Sequence, residues 1–133
     1  MTISRREARE ILLGLVFQFL FLNEKENISY GEMLADNAVS VENKEFISQI
    51  YSGVCDNFEE LTKTIRANVK DFSPSQVFKM DYSILLIACY EILHQNTEHA
   101  IVINEAVNLA KKFSTDKSSS FVNGVLSSVL KGK

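Results

Sequence analysis

The sequence predicts an all-α fold: one domain of about seven helices in two small bundles, roughly residues 1–72 and 73–133. Three observations predict it. Apolar residues recur at steps of three and four along most of the chain, the spacing of one helical face. A single proline and five scattered glycines leave too few turn signals for a hairpin-rich β fold. A chain of 133 residues with 46% hydrophobic content can build the core of one domain.

In chain order, the first helix opens at Ser4, which with Glu7 makes a capping box. Arg5, Arg6 and Arg9 occupy its first turns. Cations there oppose the helix macrodipole at a cost of ~0.3–1 kcal/mol each when exposed, so the arginines read either as meeting a partner or as solvated groups on an exposed helix end. Arg5 and Arg9, four residues apart, share a face. From Ile11 to Leu22 the helix is apolar apart from Gly14 and Gln18. That run is shorter than the about 20 residues a bilayer requires. It is expected to be the buried centre of the first half, or else to be covered around Phe19 and Phe21 by a second copy in a homodimer.

A polar turn at Asn23 to Ser29 leads to a short helix over 30–38 carrying Met33, Leu34 and Ala38, and the chain turns again from Ser40 to Asn43. Phe46, Ile50, Val54, Phe58, Leu61, Ile65, Val69 and Phe72 then keep a helical period, with a break expected near Asp56 and Asn57. Ser73-Pro74-Ser75-Gln76 reads as a helix start, with serine at the cap and proline at the first helical position. Asp81 is expected to cap the next helix, whose stretch Ile84 to Leu93 is apolar except for Tyr90 and Glu91 and forms the centre of the second half.

The stretch IVINEAVNLAKKFSTDKSSSFVNGVL, from Ile101 to Leu126, predicts a helical hairpin. Val102, Ala106, Leu109 and Phe113 form one stripe, and Val122, Val125, Leu126 and Val129 a second. Ser114, Thr115 or Asp116 is expected to cap the second helix. Gly124 falls mid-helix, where glycine is about 1 kcal/mol worse than alanine, and a close helix–helix approach is the expected reason. Phe121 has two readings: a core side chain, or an aromatic platform for a base with Lys117 one turn away.

Charge is unevenly spread. Residues 1–23 sum to +1, 24–60 to −7, 61–98 to zero and 99–133 to +3, for a net −3. If the ends meet, they form a modest basic patch on an acidic body, which suits an assisted nucleic-acid binder. The two cysteines, Cys55 and Cys89, form no CxxC and read as buried reduced thiols of a cytoplasmic protein. No signal peptide is expected. His94 and His99 lack the spacing of a metal site, and no phosphate loop, GxSxG or GxGxxG occurs. Glu91 and Glu105 fall on different helices and are expected to make structural ion pairs rather than an acid–base pair. No catalytic residue, metal or cofactor is therefore expected.

INEAVNLAKKF followed by FVNGVL, with DYSILLIACYEI before them and SRREARE at the N-terminus, resembles the NusB family of bacterial transcription antitermination factors. The resemblance implies two small helical bundles. It also implies binding of boxA-type single-stranded RNA together with NusE, a small-subunit ribosomal protein, and entry into an RNA polymerase antitermination complex during ribosomal RNA synthesis. The family's RNA-binding positions carry over to Arg5, Arg6 and Arg9 and to Phe121, with Lys117 beside it. Basic positions of the family are Glu7 and Ser120 here, and an arginine of the family is Leu86. NusE is expected on the outer faces of the helices around 81–95 and 99–113. Two other readings are a protein-only adaptor and a detached targeting domain of a ribosomal RNA methyltransferase.

Overall fold

The computed structural model describes residues 2–70 and 77–133, and the helix start read at Ser73-Pro74-Ser75-Gln76 lies outside them. Seven helices and no strand are found among the described residues: α1 (Arg5–Leu22), α2 (Ile28–Ala35), α3 (Val41–Asp56), α4 (Phe58–Ala67), α5 (Lys79–His94), α6 (His99–Phe113) and α7 (Ser118–Lys131). α5 is the spine. It packs against α1, α3 and α4 from the first half of the chain and against α6 and α7 from the second. This explains why its sequence is apolar on every side: Ile84 through Cys89 are all buried. It is thus central to the whole molecule rather than to one half.

Local sequence sets several helix ends in the first half of the chain. The Ser4 side chain accepts the Glu7 N–H at 3.1 Å while the Ser4 N–H donates to Glu7 Oε1 at 3.1 Å, closing the capping box. Donation to Glu7 Oε1 from the Ser4 N–H, and from the Ser4 hydroxyl, holds the Glu7 carboxyl below its usual range. α1 ends at Asn23, the one described non-glycine residue with positive φ, at 54°. α2 begins earlier than the polar turn suggested, because Asn27 caps it by accepting the Tyr30 N–H at 3.0 Å. The break between α3 and α4 falls at Asn57, whose backbone and side-chain nitrogens both donate to the Gly53 carbonyl, at 3.0 and 2.8 Å.

Three expectations are corrected. Asp81 does not cap α5 but lies inside its first turn, 4% exposed, with both oxygens accepting hydroxyls from the second half of the chain. None of Ser114, Thr115 and Asp116 caps α7; the residue before that helix is Lys117, and no side chain caps it. The burial expected of α1 holds at Phe19, edge-on to Tyr51 and Phe58 at 6.5 and 5.8 Å, whereas Phe21 stands 60% exposed. Gly124 is not a close approach, since a Cβ there meets nothing within 4 Å. The close approach is at Gly53, where a Cβ would fall on the ring of Tyr90.

The two glycines should therefore answer alanine with opposite signs. Gly53→Ala is expected to lower stability by about 1–3 kcal/mol through overpacking. Gly124→Ala is expected to raise it by up to about 1 kcal/mol through helix propensity. Thermal melts of both variants check this, and an unchanged or raised melting temperature for Gly53→Ala would refute the packing assigned to Gly53.

Candidate nucleic-acid interface

The three arginines of α1 have different fates, decided by which neighbour each meets. Arg5 is exposed at the helix start. Its Nε donates to Asn43 Oδ1 at 2.9 Å and its guanidinium lies 4.1 Å above the Phe46 ring, so α3 holds the group in place. Arg6 has a side chain 66% exposed and reaches Glu105 of α6 at 3.3 Å, a contact that water and salt weaken. Arg9 turns inward. Its side chain is 8% exposed, and Nη2 donates to Glu91 Oε1 of α5 at 2.9 Å. Burial pushes the Glu91 carboxyl above its usual range, and Arg9 pulls it back down.

Arg9 is thus a correction to the sequence reading: a guanidinium committed to a buried carboxylate is not presented to phosphate. The arginines placed against the macrodipole do have partners, and these lie within the chain. Asn43, Phe46 and Glu105 were not singled out as the residues that fix them. The only sequence signal was the unfavourable placement of the cations itself.

A second cluster forms where α7 begins. Ser118 is buried and its Oγ donates to Asp81 Oδ2 at 2.9 Å, while the Ser114 hydroxyl donates to Asp81 Oδ1. Ser118 Oγ also accepts the Thr115 N–H at 3.2 Å. This network ties the α6–α7 turn to α5 and fixes the first turn of α7. On that turn Lys117 is exposed, and Phe121 is half-buried, with part of its ring packed against the core. The core reading of Phe121 thus holds for part of the ring, and the rest of the side chain faces solvent.

The two clusters do not touch. One is anchored to α5 at Asp81 and the other at Glu91, about 15 Å apart at 1.5 Å per residue. Lys112 is a further exposed cation on the α1–α6 side, its Nζ 2.8 Å from Glu10. No helix among the described residues is long and apolar enough to cross a membrane.

A helical domain with exposed arginines at the head of α1 and a lysine–phenylalanine pair at the head of α7 has the build of a nucleic-acid-binding adaptor. The chain belongs to the NusB family, whose model matches residues 5–131. It is 34% identical to a Transcription antitermination protein NusB of Campylobacter jejuni subsp. doylei, covering 98% of each chain. It is likewise 34% identical to one of Acetivibrio thermocellus, over 98% of this chain and 90% of that one. NusB of T. maritima superposes with a TM-score of 0.86 at 26% identity, over 98% of this chain and 93% of the other. A NusB solved with NusE and double-stranded RNA superposes with a TM-score of 0.83, over 97% of both chains; at 21% identity that likeness carries the fold alone.

Proposed function

We propose that this protein is a non-enzymatic transcription antitermination factor of the cytoplasm. It binds boxA-type single-stranded RNA together with NusE and joins an RNA polymerase antitermination complex on ribosomal RNA operons. The observation that carries this reading is the family match over nearly the whole chain, to relatives of that name. Exposed Arg5 and Arg6 serve as phosphate ligands, Phe121 stacks on a base with Lys117 beside it, and Arg9 holds α1 on α5 from inside. The acidic residues that dominate 24–60 weaken RNA binding by the protein alone, which fits a factor that needs a partner.

Titration of labelled boxA RNA with and without NusE tests the reading, and absence of binding in both conditions would overturn it. In the presence of NusE, Arg5→Ala and Arg6→Ala are each expected to weaken all single strands alike and to reduce the salt slope by about 0.7 per lost phosphate contact. An unchanged slope in the double variant would remove both residues from the phosphate footprint.

A further inference from the structure

An open groove of about 510 Å³ lies beside the Arg5 cluster, walled by α1, α3 and the link between α5 and α6. Its size is in the range of small-molecule sites. Beside the Arg5 Nη edge assigned above to a phosphate, its lining has the parts of a base-reading site. Arg5 uses its Nε and one face on Asn43 and Phe46, which leaves the Nη edge and the solvent-side face of a fixed, planar cation. Guanidinium planes of this kind are platforms on which an unpaired base stacks. The same groove is lined by Gln49 and Gln95, neither of which makes a side-chain hydrogen bond among the described residues. An amide offers a donor and an acceptor side by side, the pattern that reads a base edge.

Two carboxylates, Glu42 and Glu45, share the lining with Arg9, Phe46, Thr97 and Ile101. As ions the two carboxylates accept hydrogen bonds and donate none. An exocyclic amino group satisfies them; the two carbonyl oxygens of uracil do not.

We propose that this groove is a subsite for one unpaired nucleotide whose base carries an exocyclic amino group, stacked on Arg5 and read at its edge by Gln49, Gln95 and the two glutamates. The inference rests on the RNA-binding reading above and adds to it a position of base selectivity on α3, away from Phe121.

The test uses the full chain with NusE and a set of boxA-type RNAs in which each position in turn is changed to uracil. One position is expected to lose about 5- to 150-fold in affinity on this change, the scale of one bidentate base contact. In the Gln49→Ala/Gln95→Ala variant the difference at that position should collapse, with the other positions, the salt slope and the melting temperature unchanged. Glu42→Gln/Glu45→Gln should narrow it by admitting uracil. Retention of the full preference in both variants overturns the proposal. A uniform loss with a shallower slope overturns it in favour of a phosphate contact, and weaker NusE binding without RNA overturns it in favour of a protein surface. Absence of any RNA binding by the unaltered protein overturns both this proposal and the functional reading, and is distinct from the other outcomes.

Discussion

Glu91→Ala is expected to cost about 3–5 kcal/mol of folding stability, because it leaves the Arg9 guanidinium charged, buried and unpaired between α1 and α5. Arg9→Ala should cost a similar amount from the other side. The double variant Arg9→Met/Glu91→Leu, which removes both charges and keeps the volume, should recover most of the loss, since apolar replacements of buried pairs are often neutral or better. Urea unfolding of the four proteins measures this, and additive losses in the double variant would show that the two residues do not act as a pair.

The same pair predicts a pH dependence. The folded-state value of Glu91 is raised above the ordinary 4.5. Its protonated form therefore favours folding: the contribution is complete below about 4.5 and is lost as pH rises through the folded value. Stability should fall with rising pH across that window, and Glu91→Gln should flatten that part of the curve. RNA affinity of the folded fraction separates this role from the one first read in the sequence. A structural Arg9 affects stability and leaves the salt slope alone.

Phe121→Ala is the second variant with a large expected effect, this time on binding. A fully buried phenylalanine would cost about 3–5 kcal/mol of stability on truncation. Phe121 is only half-buried, so less than that is expected. RNA affinity in the presence of NusE should fall by about 1–3 kcal/mol, the worth of one stacked base. A melt and a titration on the same sample decide it. A large drop in melting temperature with normal affinity in the remaining folded protein would make Phe121 a core residue only.

The sequence by itself determined what depends on a few neighbouring residues. The periodic apolar faces predicted the helices, Ser4 with Glu7 predicted the start of α1, and the polar pair Asp56 and Asn57 predicted the break between α3 and α4. Each is legible because hydrogen bonding over three or four positions fixes it. The ordered motifs from SRREARE to FVNGVL also pointed to the family that the chain proves to belong to.

Tertiary structure decided whatever depends on partners far along the chain. Arg5 and Arg9 occupy equivalent positions one turn apart, yet one faces solvent and the other is buried, because Glu91 arrives from 82 residues away. Gly53 and Gly124 look alike as mid-helix glycines, and only the arrival of Tyr90 from another helix makes the first a close contact. Asp81 has the residue type of a cap, but α5 is central, so its carboxylate meets Ser114 and Ser118 instead of its own helix terminus. The groove beside Arg5 is assembled from three separate stretches, and no local pattern announces it. In each case the deciding term is burial against a distant side chain, which the helical period carries no information about.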